Sequence, residues 1–388
     1  MTTVTLLRGR IVAPTGVIDG CVAVSGGRIV DVGSEARGGG EEYDFGQSLV
    51  VPGFIDVHMH GLGRYDVFEA ADLVEVARLQ ARFGTTGFLP SVASLPVERY
   101  LQFGHNVRKA REASGPEAAR ILGAHFEGPF INPEGRGGMD AAYLRSVDLR
   151  ECQTYLDEVG DVLKLMTLSP ELEGAESLIR LLGEHNVVAS LGHSRAGKRE
   201  LEAAIRAGLS HVCHLFNTFE HAPLHAGWQH PPNLVISILT SDRLNCEVVC
   251  DMFHVVPEYV RLAAKTLGPD RFLAITDSLP GAGLEPGEYT MVDGREFTTR
   301  EGVARLTSDG TVVGSVITLN RAFANLVERC GIDPVTASRY TSTNAARAMG
   351  LADRLGSIEP GKRADLAVLD ADYRCVATFL EGQMVYES

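Results

Sequence analysis

Pro52-Gly-Phe-Ile-Asp-Val-His-Met-His-Gly61 is a largely apolar run that ends abruptly in two histidines. With Val50 and Val51 before it, the run reads as a strand buried on both faces, the texture of a parallel sheet. Side chains alternate along a strand, so His58 and His60 fall on one face near its C-terminal end. Seven similar runs follow: Thr86–Val92, Ile121–Phe126, Val162–Leu168, Val187–Leu191, His211–Phe216, Cys246–Cys250 and Phe272–Ile275. Helix-like stretches separate most of them, at Glu69–Phe83, Val97–Ala113, Leu149–Val159, Glu176–His185, Arg199–Ala207 and Pro257–Leu267. The segment Asn233–Leu239 is the least helix-like connection. Eight buried strands alternating with helices predict an α/β fold, a (β/α)8 TIM barrel. An open doubly wound sheet is the alternative on pattern alone.

The flanks have a different texture. Short β-rich runs at Val4–Leu7, Cys21–Val24 and Arg28–Val32 precede the barrel, and Ala364–Leu369 and Cys375–Phe379 follow it. They predict a small β-sandwich domain built from residues 1–52 and 350–388 around a barrel at 53–349. Between Gly281 and Gly314 the chain is rich in glycine, threonine and charge, the mark of a hairpin-bearing insertion. Helix-like segments at Thr318–Arg329 and Pro334–Met349 complete the barrel.

Across 388 residues, 36 Lys+Arg face 50 Asp+Glu, a net charge of −14 that argues against a nucleic-acid partner. An apolar stretch long enough to span a membrane is missing, and the N-terminus lacks a signal-peptide pattern. The 7 cysteines include no Cys-x-x-Cys pair, and reduced thiols in a cytoplasmic protein are expected.

Function is written in the strand ends. His58 and His60 end the first run, Glu127 the third, His193 the fifth, His214 the sixth and Asp277 the eighth. Barrel enzymes place their sites at that end of the strands. Imidazoles and carboxylates converging there suit a divalent transition metal.

The first-run motif resembles the opening signature of the amidohydrolase superfamily. His125-Phe-Glu-Gly-Pro-Phe-Ile-Asn-Pro133, Leu191-Gly-His-Ser194, His214-Leu-Phe-Asn217 and Ile275-Thr-Asp277, in that order, resemble the N-acetylglucosamine-6-phosphate deacetylase family. Gly356-Ser-Ile-Glu-Pro-Gly-Lys-Arg-Ala-Asp-Leu-Ala-Val368 is similar to the closing β segment of many amidohydrolases. The resemblance implies hydrolytic deacetylation of an N-acetylated amino sugar, N-acetyl-D-glucosamine 6-phosphate before others. Glu127, His193 and His214 would bind the metal always present in the family. His58 and His60 match members with a second ion, Glu127 bridging, and Asp277 would be ligand and general base. One or two ions are expected, zinc first, with iron, manganese or cobalt also suited. His211 and His125 are expected to be neighbours rather than ligands. A homodimer is implied by the same resemblance.

The substrate half departs from the family pattern. Met139 stands where the family has a histidine, and His225 where it has a phosphate-gripping arginine, with His221 and Arg136 as candidate helpers. Met252 replaces a glycine and is expected to add bulk. Asn217, Thr218, His254 and Gly314 complete the expected substrate contacts. A different, possibly unphosphorylated, N-acetyl amino sugar or N-acyl amine is therefore the alternative substrate. The competing readings are a catalytically dead barrel and another amidohydrolase reaction, such as cyclic-amide hydrolysis or deamination. Against the latter stand the Glu-Gly-Pro-Phe turn and the lack of a plausible carboxylated-lysine ligand on the fourth strand, where Lys164 lies but Glu127 already supplies the bridging carboxylate.

Overall fold

Eight parallel strands follow one another in chain order around a barrel: Phe54–Met59, Thr85–Ala93, Ala124–Glu127, Leu163–Leu168, Val188–Leu191, His211–Val212, Asn245–Val249 and Phe272–Ile275. The computed structural model describes residues 4–34, 36, 38–219, 233–291, 293–300 and 302–388. The ring closes between its ends, where the Asp277 N–H donates to His58 O (2.9 Å) and the His60 N–H to Ser278 O (2.7 Å). That closure separates a barrel from an open doubly wound sheet. A buried cluster of Ile55, Val57, Leu89, Leu165, Val249, Leu273 and Ile275, drawn from five strands, forms part of its core.

The helices cover the strands for the reason their spacing gives. In Val97–Ala113, Tyr100, Phe103, Val107 and Ala110 recur at three- and four-residue intervals and are all buried. Tyr100 and Phe103 close on Phe126 of the third strand, with ring centroids 4.8 and 6.1 Å away, and Tyr155 approaches it at 5.5 Å from helix Leu149–Val159. Asp148 caps that helix, its Oδ1 accepting from the Arg150 N–H at 2.8 Å. The weakest predicted connection is a short helix, Leu234–Leu239, capped by Asn233.

The terminal segments meet in one mixed sheet of seven strands, ordered Gln383–Glu387, Cys375–Leu380, Leu366–Leu369, Glu42–Pro52, Thr5–Ala13, Gly16–Ser25 and Arg28–Gly33. Leu7, Ile11, Val22 and Ile29 from one terminus share a buried cluster with Leu366, Val368, Ala377 and Phe379 from the other, a sandwich-like core. The predicted run Val50–Val57 thus divides: Val50–Pro52 pairs with the C-terminal strand, and Phe54 starts the barrel. Gly53 sits at the division because a Cβ there would lie 2.2 Å from the Thr86 side chain. Glu288–Thr290, Glu296–Arg300, Val303–Leu306 and Val312–Ser315 form the insertion as a four-stranded antiparallel sheet.

Phe126 joins fold to site, since Glu127 follows it. Phe126→Ala is expected to cost about 3–5 kcal/mol, read as a lowered urea or thermal midpoint; an unchanged midpoint would refute this packing account.

Candidate active site

The predicted strand at His211–Phe216 stops at Val212, and the departure is informative. His214 (φ 25°) and Phe216 (φ 82°) take left-handed backbone, as do His193 (φ 51°), Thr218 (φ 63°) and Asp277 (φ 48°). Such conformations are uncommon for residues with a Cβ and concentrate at functional sites. Here they turn the chain sharply at the strand ends, and the side chains converge.

Glu127 is the centre. Its Oε1 lies 2.9 Å from His193 Nε2 and 3.0 Å from His214 Nε2. Its Oε2 lies 3.4 Å from His60 Nε2 and 3.6 Å from His58 Nε2. Asp277 Oδ1 is 3.3 Å from His60 Nε2 and 3.6 Å from His58 Nε2. Among the described residues three ligand groups result, Glu127–His193–His214, His58–His60–Asp277 and, between them, His58–Glu127–Cys213, with Glu127 linking the first two. The structure therefore brings together all six residues expected at the metal.

The surroundings set the imidazole tautomers. His58 Nδ1–H donates to Glu247 Oε2 (2.9 Å), and His60 Nδ1–H to Ser91 O (2.9 Å). His193 Nδ1–H donates to Gly135 O at 3.0 Å. Each Nε2 then carries a lone pair into the site. His58 Nε2 and His60 Nε2 lie 3.2 Å apart, so with both rings neutral their lone pairs would face each other and repel, and a proton or a metal cation between them relieves this. Burial opposes charge on His60, yet the surrounding carboxylates accordingly raise it to about 9. Two ligand atoms on one tetrahedral zinc, each about 2.0–2.1 Å from it, lie roughly 3.3 Å apart. The residues fit a divalent metal. Burial opposes charge on Glu127, yet His58, His193 and His214 hold it well below the usual carboxylate range. Burial also opposes charge on Asp277, and His58, His60 and His214 likewise hold it down.

Residues outside the motifs support this cluster. Glu247, buried inside the seventh strand, accepts the hydrogen bond from His58 Nδ1–H and also faces His211 Nε2 at 2.9 Å, so His211 is occupied away from the ligand groups. His125 is engaged at both nitrogens, by Ser91 Oγ and Thr167 Oγ1, each 2.9 Å away. Glu171 ties two motif loops together: it accepts from Asn132 Nδ2 (2.8 Å), Ser194 Oγ (2.7 Å) and the Arg195 N–H (2.6 Å). Gly135 lets the first loop lie against the second, because a Cβ there would be 2.1 Å from His193 O. Cys213 Sγ also sits 3.5 Å from His58 Nδ1. Sequence reasoning missed Glu247, Glu171 and Cys213. A carboxylate inside the apolar run Cys246–Cys250 was the one available signal for Glu247.

The cluster opens on a cavity of about 360 Å³ lined by Met139, Asn217, Thr218, His254 and Gly314 among others. Asn217 Nδ2 is buried without a partner among the described residues, a donor available to a ligand. His254 Nδ1 lies 2.5 Å from Asp251 Oδ2, which fixes its ring. The inserted sheet adds Arg295, whose Nε donates to Asp293 Oδ2 (2.7 Å) and Nη1 to Gly138 O (2.9 Å). Asp66 joins the lining, burial raising its carboxyl to about 6. Met252 corrects an expectation. Its backbone is left-handed (φ 65°), and its buried side chain sits with Sδ 3.7 Å from Cys330 Sγ rather than in the cavity lining. Arg136 is tied back, donating to Met139 O at 2.8 Å. Lys164 lies at the start of its strand, outside the ligand groups. His221 and His225 lie outside the described residues.

The amidohydrolase family profile matches residues 302–385. N-acetylglucosamine-6-phosphate deacetylase of Bacillus subtilis (strain 168) is 33% identical over 347 residues, covering 88% of this chain and 85% of its own. The chain belongs to the N-acetylglucosamine-6-phosphate deacetylase family. A member from Escherichia coli O157:H7, described as an N-acetylgalactosamine-6-phosphate deacetylase, is 32% identical over 87% of each chain. A solved structure of the N-acetylglucosamine-6-phosphate deacetylase of Mycobacterium smegmatis, in complex with N-acetylglucosamine 6-phosphate, superposes with a TM-score of 0.90 at 28% identity and covers 99% of each chain. The family relationship thus spans barrel and β domain together.

Glu247→Gln should keep the shape of the pocket and remove the charge behind His58. Metal affinity, measured by titration against a chelator, is expected to fall about 10–100-fold. Wild-type affinity would exclude Glu247 as a support of the site.

Proposed function

We propose that this chain hydrolyses N-acetyl-D-glucosamine 6-phosphate to D-glucosamine 6-phosphate and acetate. The observation that carries the reading is the double ligand cluster around Glu127, opening through Asp277 onto the cavity of about 360 Å³, in a chain of this family. Glu127, His193 and His214 would hold one divalent ion and His58, His60 and Asp277 a second, zinc before iron, manganese or cobalt. When bound, such an ion polarises the amide carbonyl and brings the pKa of water from ~15.7 towards ~7.

The chain's own residues do the rest. Asp277 lines the cavity and is ionised at neutral pH, so its carboxylate can take the proton of the attacking water. It then returns that proton to the departing amine nitrogen, which otherwise leaves as a poor, unprotonated group. Asn217 Nδ2 and the ring of His254 are placed to hold acetyl and sugar oxygens, and Met139 supplies an apolar wall. Thr218 and Gly314 shape the cavity with their backbones; a Cβ on Gly314 would be 3.0 Å from Asp277 O. His225 is proposed to meet the phosphate.

A different N-acetyl amino sugar is the second reading. It is favoured by Met139 in the cavity wall, which cannot donate a hydrogen bond, and by relatives of nearly equal identity described for glucosamine and galactosamine epimers. Comparing kcat/KM for N-acetylglucosamine 6-phosphate, its galactosamine epimer and unphosphorylated N-acetylglucosamine separates the two. The glucosamine ester is expected to lead, by about 10–100-fold over the unphosphorylated sugar. Equal rates with and without phosphate would overturn the phosphorylated substrate. Asp277→Asn should lower kcat about 10²–10⁴-fold with the ion at Glu127, His193 and His214 retained, and a full-rate variant would remove the proton shuttle.

The reading also carries a cytoplasmic homodimer. Val256, Tyr259 and Leu262 are exposed on one face at the start of helix Pro257–Arg271, with exposed Phe253 beside them. Such a patch suits a subunit contact. Leu262→Glu is expected to shift the protein from dimer to monomer in light scattering, and an unchanged mass would move the interface elsewhere.

A further inference from the structure

The barrel has a second cavity at its opposite end, where the strands begin. Its volume is about 960 Å³, and its walls come from the end of helix Val97–Ala113, the approach to the third strand, the starts of the fourth and fifth strands, and the turn after helix Asn344–Ala348. Six cations line it, Arg111, Arg120, Lys164, Arg347, Arg354 and Arg363, and among the described residues no carboxylate does. In a chain of net charge −14 that is a local inversion of sign.

Much of this charge has an internal explanation. Arg347 lies 3.0 Å from Asp270, Arg120 lies 3.2 Å from Asp365 and 3.1 Å from Glu381, and Arg363 lies 3.2 Å from Glu381. Arg354 faces its neighbour Asp353 at 3.6 Å. Arg111 and Arg347 stand in the last turns of helices, where the helix dipole favours cations. Lys164 fits neither account. It is the second residue of strand Leu163–Leu168, half-buried, with no ion pair or hydrogen bond to a described residue. Gly123 makes room for its stem, since a Cβ there would be 2.3 Å from Lys164 Cγ. Arg120 is paired through Nη2, but its Nε is buried without a hydrogen-bond partner among the described residues. A half-buried ammonium and an orphaned guanidinium donor border the same carboxylate-free cavity.

We propose that this cavity is a second binding site, separate from the catalytic one, for a small metabolite bearing two or more phosphate charges. Its phosphates pair with Lys164, Arg120 and Arg111, and its uncharged body rests on the apolar wall of Leu122, Val188 and Leu355. Multiple phosphate oxygens satisfy a guanidinium fork and an ammonium together, which a single carboxylate does not.

Isothermal titration of the metal-loaded enzyme with pyrophosphate and, separately, with adenosine diphosphate tests this. Saturable binding of one equivalent is expected, weakened about tenfold or more in Lys164→Met and in the exposed-site variant Arg111→Met, with kcat/KM for the acetylated sugar unchanged. Binding of both probes assigns recognition to the phosphates, and binding of the nucleotide alone adds the apolar wall. Two results would overturn the site: no saturable binding at millimolar probe, or binding of wild-type strength in both variants, which would place the anion in the catalytic cavity.

Discussion

A single carboxylate, Glu127, stands within 3.6 Å of four imidazoles, and the architecture around it exists to make that arrangement tolerable. Burying one charge is expensive unless it is paired, and burying several requires each to be held at fixed distance from the others. Closure of the barrel supplies the distances, because six side chains from five strand ends can meet only if those ends form a ring. Left-handed backbone at His193, His214 and Asp277 completes the convergence, at about 1–3 kcal/mol each. The rigid strands beneath, and the Glu171 and Glu247 hydrogen bonds beside them, keep those conformations from relaxing.

The two halves of the site are built from different material. Its metal half comes from strand ends and short turns whose hydrogen bonds are shared among neighbours. The cavity beside it is walled by loops and by the inserted sheet, where Met139, Asn217, Arg295 and Gly314 depend on longer excursions of the chain. Loops carry recognition because their side chains can change without disturbing the scaffold. That division lets the cavity wall vary in residues such as Met139 while the six ligand-group residues stay fixed on their strand ends.

Most of the barrel was legible because its strands are buried on both faces and therefore read as unbroken apolar runs. The sixth run misled by length: its apolar residues continue to Phe216, yet the strand ends at Val212 where the chain turns to aim His214. The first run misled by continuity, since Val50–Pro52 and Phe54–Met59 are apolar for two different partners. In the site, strand-end histidines and carboxylates announced themselves by position. Glu171 and Glu247 did not, because their meaning lies in what they face across the fold. Met252 was misjudged since residue size says nothing about which side of the backbone a side chain takes.

The seven-stranded terminal sheet has a consequence for how the molecule comes into being. Strand Glu42–Pro52 is made early, but its neighbour Leu366–Leu369 leaves the ribosome more than three hundred residues later. Until then that strand has only Thr5–Ala13 beside it and offers a bare edge to any passing strand. Long-range pairing of this kind is slow and exposed to aggregation. The nascent chain must therefore carry a half-made sheet through the synthesis of the whole barrel. The last twenty or so residues act as the clasp that ends its vulnerable period.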